Sequence, residues 1–364
     1  MAVWRRVVSG NRALLFSAAL CGCVSAGCDG RPLPLRPASS GGGQAGGGGT
    51  DDRFTEWQLP ANAGPLFIVA GPDGNVWFTE PGRNAIGRMT PRGVLAEFFS
   101  PTPAGSPQGI TTGSDGNLWF TVGDHASAAV GRITPTGAID EVHFPTNRFA
   151  APEPYFIARG LDDDLWLTDP GIAIVVRLTI DLAFVDAGAA FTRYQALEAP
   201  GAVAEGPDGN MWFTSDLWIV QQLVGGPSVG YPLPHGSPGS PSGANAPLGL
   251  AAGPDGNLWV AGNAGRRLLR IEFPVPPPPM SPRMTEIPLA HDGAPPLSIT
   301  VGPDGNLWFT EDGPAIGRAT PAGVVTEFSI PSGASAFAIT TGADGALWFT
   351  EPAANRIARF GPPP

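Results

Sequence analysis

The chain has 364 residues, of which 51 are glycine and 42 proline, and only 15% are charged, with a net charge of −11 at neutral pH. That balance excludes a nucleic-acid binder, which needs a basic stripe to displace counterions from phosphate. The length permits two or three domains, and all three cysteines fall before residue 29, so the rest of the chain has neither a disulfide nor a thiol centre.

In chain order, Arg5, Arg6 and Arg12 accompany an apolar run from Ala13 to Leu20, the pattern of an export signal. The run is too short to span a bilayer as a helix. Cys21, Cys23 and Cys28 follow it. Clustered cysteine at this place resembles a bacterial lipoprotein signal. The acylated residue would be Cys23, with Leu20 three before it and Gly22 directly before it, or Cys28, preceded by Ala26 and Gly27. The resemblance implies an exported protein of the cell envelope, touching the membrane through acyl chains alone; the alternative is cleavage and release. Residues 1–28 form this signal, and residues 29–51, with Gly41 to Gly49 nearly all glycine, form a tether too poor in apolar surface to fold.

Residues 52–364 are organised by one recurring tryptophan, found at Trp77, Trp119, Trp166, Trp212, Trp259, Trp308 and Trp348, spacings of 40 to 49 residues that mark a repeat architecture. In the best copy an apolar run (297–301) meets Gly302-Pro303-Asp304-Gly305-Asn306 and then Leu307-Trp308-Phe309-Thr310-Glu311. Asp-Gly-Asn between two such runs is a hairpin, because Gly accepts positive φ and Asp or Asn bonds its own backbone. A third strand follows at 315–320, and Pro321-Ala322-Gly323 turns the chain into a fourth at 324–328. Four short antiparallel strands repeated seven times predict an all-β, seven-bladed propeller. The fourth-strand phrase also occurs ahead of the first tryptophan, as Phe54-Thr55-Glu56-Trp57, whereas the last repeat stops after Arg356 to Phe360. The N-terminal strand is therefore predicted to complete the seventh blade and close the ring, leaving only short edges. The stretches 223–246 and 272–283, the latter with four consecutive prolines, depart furthest from the repeat and read as rim loops.

The composite Gly-Pro-Asp-Gly-Asn-Leu-Trp-Phe-Thr-Glu, then Ile-Gly-Arg, then Val-Thr-Glu-Phe resembles the streptogramin (virginiamycin B) lyase family over 52–362. The resemblance implies a seven-bladed propeller and, in the founding activity, Mg²⁺-assisted opening of a cyclic depsipeptide by elimination at its ester. It further implies a His at the start of an inner strand, a Glu fourteen residues later and a second His three residues beyond. Start of strand one and end of strand two share one mouth, where a carboxylate can hold Mg²⁺ and an imidazole can act as base. Across the seven blades the first position reads Leu66, Gln108, Tyr155, Gly201, Leu248, Leu297 and Phe337. The second reads Glu80, Val122, Asp169, Ser215, Gly262, Glu311 and Glu351, and the third Arg83, His125, Ile172, Trp218, Gly265, Pro314 and Ala354. No blade has His-Glu-His. Blade six keeps Glu311 and lacks both imidazoles, and His125 sits with Val122 in place of Glu.

Two readings follow. In the first, the protein is a monomeric binding module whose mouth, lined by Leu66, Gln108, Tyr155, Trp218, Leu248, Leu297 and Phe337, takes a small apolar or cyclic ligand or a protein loop. In the second, Glu311 and His125 serve a rearranged lyase site, and Glu80, Glu311 and Glu351, on three blades adjacent through ring closure, hold Mg²⁺. The aspartates of the Asp-Gly-Asn turns and the arginines of Ile-Gly-Arg are assigned to the framework. Asp162-Asp163-Asp164 is an acidic turn with too few ligands for a calcium site.

Overall fold

The strand that carries the tryptophan is apolar on both faces because both faces are covered. Leu307–Glu311, Leu347–Glu351 and Val76–Glu80 are buried at every residue, whereas outer strands such as Val325–Ser329 alternate with solvent. A sheet standing radially in a ring has this property, since each face packs on a neighbouring sheet. The computed structural model describes residues 33–34, 51–123, 127–145, 151–160, 162–215, 217–223, 226–234, 248–263, 266–273, 281–289 and 294–361. Cys23, Cys28, His125, His235, His291 and the proline run lie outside them.

Seven antiparallel sheets are formed, each with its strands in order from the axis outward. Blade one comprises Ile68–Ala70, Val76–Glu80, Ala85–Met89 and Val94–Phe99. Blades two to six occupy 107–143, 156–195, 203–232, 249–288 and 296–329. Blade seven takes Ile339–Thr341, Leu347–Glu351 and Arg356–Phe360 from the C-terminal end, and Phe54–Gln58 from the other end of the domain. The closing register runs from Phe54 opposite Phe360 to Gln58 opposite Arg356, as the repeat predicts. Leu33–Pro34 adds a fifth strand to blade one, with Leu33 opposite Leu95 and Pro34 opposite Val94.

The core is divided among seven seams, one between each pair of neighbouring blades. Each tryptophan points into the seam with the following blade: Trp308 packs with Ile339, Leu347 and Phe349 of blade seven, and Trp348 with Ile68, Val76 and Phe78 of blade one. The phenylalanine beside it faces the preceding blade. A buried tryptophan removes about 150–250 Å² from water, roughly 4–6 kcal/mol of gross apolar transfer per copy. Its indole N–H is satisfied locally, because Nε1 donates to the aspartate four residues earlier in all seven repeats, from Trp77–Asp73 at 3.0 Å to Trp348–Asp344 at 3.1 Å. The hairpin aspartate thus has a second task beyond the turn, in which Gly305 takes a φ of +70°. The glycine of Ile-Gly-Arg is dictated by packing: a Cβ on Gly317 would lie 2.0 Å from the ring of Phe309.

Candidate functional site

A belt of threonines sets the geometry of the axial mouth. In the first-position column, backbone N–H groups donate to the carbonyl of the threonine in their own Trp-Phe-Thr strand: Leu66 to Thr79 at 3.0 Å, Tyr155 to Thr168 at 2.9 Å and Phe337 to Thr350 at 2.9 Å. The carbonyls of the same column accept from the threonine hydroxyl of the preceding blade. These bonds are Thr121 to Tyr155 (3.0 Å), Thr168 to Gly201 (2.8 Å), Thr310 to Phe337 (2.6 Å) and Thr350 to Leu66 (2.8 Å). In blades two and six the column residues Gln108 and Leu297 fall within register shifts of the inner strand, where bulges re-aim side chains. Leu66, Tyr155, Gly201 and Phe337 are thus held from both sides, by their own blade and by the preceding one.

Leu66, Gln108, Tyr155, Leu248, Leu297 and Phe337 are all half-buried. Gln108 folds back on its own loop, its amide donating to Ser106 Oγ at 2.9 Å. Tyr155 and Leu248 pack on one cluster, and burial pushes the Tyr155 phenol up to about 12. Trp218 packs on the same cluster, in the seam between blades three and four, with its ring 3.3 Å from the point a Cβ on Gly230 of the outer strand would take.

A residue absent from the sequence-based set fills the axis. Phe67 makes edge-on contacts with Tyr155 (5.6 Å between centroids), Phe156 (5.3 Å) and Phe337 (5.5 Å), joining blades one, three and seven. The signal lies one position after the first column, which reads Phe67, Gly109, Phe156, Ala202, Gly249, Ser298 and Ala338. Neighbouring inner strands crowd there, so that a Cβ on Gly249 would lie 2.8 Å from the Leu297 carbonyl oxygen. Five small residues leave room that two phenylalanines occupy.

The acidic column turns away from the axis. Glu80, Glu311 and Glu351 follow Phe78, Phe309 and Phe349 by two residues and share their face, so each enters the seam with the preceding blade. Each is nearly inaccessible, at 0%, 2% and 0% exposure, and each meets the outer-strand glutamate of its own blade. Burial, then the neighbouring Glu97, pushes Glu80 up to about 9, with Arg83 opposing. Burial and Glu56 push Glu351 to about 8, with Arg356 opposing, and burial and Glu327 push Glu311 to about 7. The outer glutamates of blades one and seven are salt-bridged, Glu97 to Arg83 at 2.7 Å and Glu56 to Arg356 at 3.1 Å. The structure therefore gives each blade its own acid pair and does not bring Glu80, Glu311 and Glu351 together. Among the described residues no group of three or more His, Cys, Asp or Glu side chains converges as metal ligands.

The remaining positions are framework. Asp169 accepts from the backbone N–H groups of Glu153 (2.7 Å) and Ile172 (3.3 Å), capping a loop. In the acidic turn, Asp162 and Asp164 both pair with Arg177, at 3.0 and 2.8 Å, and Asp163 with Arg159 at 3.3 Å. His143 ends the exposed outer strand of blade two, Ile139–His143.

The family model described as the virginiamycin B lyase family matches residues 35–215 and 154–363. A streptogramin B lyase structure is 28% identical, with 85% of this chain and 97% of that chain covered and a TM-score of 0.72. Virginiamycin B lyase from Staphylococcus aureus, in selenomethionine form, is 28% identical over 84% of this chain and 98% of that one, TM-score 0.71. A catalytically inactive histidine-to-alanine form of the same S. aureus enzyme, with quinupristin, gives 28%, 84%, 98% and 0.70. Among curated proteins none matches.

Proposed function

The chain belongs to the virginiamycin B lyase family, and from that premise we propose that it is a ligand-binding propeller without the family's elimination chemistry. One observation carries the reading: Glu311, the carboxylate the family pattern would use, is 2% exposed in the seam of blades five and six, beside Glu327. A base there would have to reach it through packed protein. The S. aureus relative described as catalytically inactive differs by loss of one histidine, and no first-position residue of this chain is histidine. The one described histidine, His143, is on an outer strand.

Binding is favoured by the same geometry. Leu66, Tyr155, Leu248, Leu297 and Phe337 present apolar surface, and the backbones of Leu66, Tyr155 and Phe337 are fixed by the threonine belt, which lowers the entropy lost when a ring-shaped apolar ligand or a protein loop is covered. Phe67 floors the site. We further infer that residues 1–28 export the chain and that Cys23 or Cys28 carries the acyl chains holding it to the bacterial envelope, with residues 29–51 between. The support is the basic Arg5, Arg6 and Arg12 before an apolar run and a cysteine cluster. Metabolic labelling with a fatty acid, lost on substituting Cys23 or Cys28, tests it.

The alternative is a Mg²⁺-assisted lyase rearranged around Glu311 and His125, which family membership favours. The experiment is incubation with quinupristin and Mg²⁺. Elimination at an ester conserves every atom, so the opened product is an isomer, distinguished by retention time and fragmentation rather than mass; hydrolysis would add one water. The proposal expects a thermal shift with quinupristin and no new species. An isomeric product that disappears in Glu311→Gln would establish the alternative instead.

A further inference from the structure

The described residues contain seven Asp-Gly dipeptides. Such a pair can rearrange by itself, because glycine has no side chain to keep its backbone nitrogen away from the carboxyl carbon of the aspartate before it. Two things in a fold suppress that attack: an acceptor that occupies the glycine N–H, and donors that fix the carboxyl group.

Six of the seven lie in the hairpin turns, and there both groups are engaged. The N–H groups of Gly74, Gly116, Gly209, Gly256, Gly305 and Gly345 each donate to the carbonyl of the glycine three residues back, at 3.0 to 3.3 Å. The aspartate before each accepts from the backbone N–H two residues on, at 3.1 to 3.3 Å. It also accepts from the indole four residues on, at 2.9 to 3.1 Å. Asp312-Gly313 is the seventh. It follows Glu311 in the loop between the second and third strands of blade six, on the mouth face. Asp312 is exposed. Among the described residues its carboxylate has no donor, and the Gly313 N–H has no acceptor. Only the Asp312 N–H is held, by the Pro295 carbonyl at 2.9 Å, where the chain enters the inner strand that carries Leu297.

We propose that Asp312 is a site of spontaneous modification to isoaspartate. The Gly313 nitrogen bonds to Asp312 Cγ, a carboxyl oxygen leaves as water and the amide proton passes to solvent, which closes a succinimide ring. Water then adds to the main-chain carbonyl carbon of Asp312, the bond from that carbon to nitrogen breaks, and the chain continues through Cβ and Cγ. One water is lost and one is gained, so the step needs no oxidant, reductant or enzyme. The backbone gains a methylene between the bonded Asp312 N–H and Pro314, in the loop that Pro295 ties to the mouth.

Ageing the folded full chain in heavy-oxygen water tests the assignment, since each succinimide that reopens takes one oxygen from solvent. Digestion after glutamate, in ordinary water, puts Asp312 and the hairpin Asp344 in separate peptides, 312–327 and 328–351. The first peptide should carry the label and give a second, isomeric peak. Its incorporation should exceed that of the second at least about tenfold, because reaction at Asp344 waits on local opening of its hydrogen bonds. In urea the two should label at similar rates, since only the fold distinguishes them. Asp312→Glu, which would have to close a larger ring, should lose the label there. Equal labelling of the two peptides in the folded chain, or labelling of 312–327 in urea alone, overturns the proposal. Label that persists at that place in Asp312→Glu overturns it as well.

Discussion

Thr350 Oγ1 donates to the carbonyl oxygen of Leu66 at 2.8 Å, across the seam where blade seven meets blade one and 284 residues apart in the chain. The same hydroxyl accepts from the Ala338 N–H at 3.1 Å. One buried side chain therefore binds its own inner strand and the next blade's. Thr350→Val keeps the shape and strands a buried donor, and should lower unfolding free energy by about 1–3 kcal/mol in urea denaturation. Thr350→Ser, which keeps the hydroxyl, should recover most of the loss.

The ring closes through Trp57, whose indole stacks on Trp348 at 5.3 Å between centroids with a 9° tilt. Trp57 arrives on the N-terminal strand and Trp348 on the C-terminal repeat, so their contact reports closure. Trp57→Ala should destabilise by about 3–5 kcal/mol, as expected of a large-to-small change in a packed core. Limited proteolysis should then cut first within 54–58 or 356–360.

Blade number, strand order and closing register were legible because each rests on a local rule repeated seven times: Asp-Gly-Asn turns, a tryptophan with its aspartate four residues back, and a fourth-strand phrase displaced to the N-terminus. The acid pairs were not, because spacing places Glu80, Glu311 and Glu351 on one rim without saying which face of the strand they share. A signal was present. Blades one, six and seven, which have glutamate after Trp-Phe-Thr, also have Glu97, Glu327 and Glu56 in the fourth strand, each in register with the phenylalanine of the buried strand across Gly87, Gly317 and Ala358. Phe67 escaped because the first-position column drew the eye one residue short of it. Trp218 was placed at the mouth by spacing alone, and its ring turns toward the outer strand.

The aromatic floor makes a prediction about ionisation. Burial holds the Tyr155 phenol at about 12, and Phe67 covers it edge-on. Phe67→Ala should admit water and bring Tyr155 down toward 10, the ordinary value. Ultraviolet titration against a Tyr155→Phe control isolates the shift from Tyr194 and Tyr231.

Three buried carboxyls fix the sign of the pH dependence. Their ordinary value is 4.5, and in the folded chain they stand near 9, 8 and 7. Between about 4.5 and those values the folded state holds protons that the unfolded chain releases, so stability falls as pH rises through that window. Tm should be higher at pH 5 than at pH 9. Glu80→Gln, which removes the titration but keeps the shape, should match the parent at pH 5 and exceed it at pH 9 by a few degrees, at roughly 2–4 °C per kcal/mol for a domain of this order of size.

Chromatography of quinupristin after prolonged incubation with the full chain and Mg²⁺ tests the central reading most directly. With Glu311 shut in its seam, the depsipeptide should raise Tm yet elute as a single unchanged peak. A second peak of identical mass, growing with time and absent with Glu311→Gln, would contradict it.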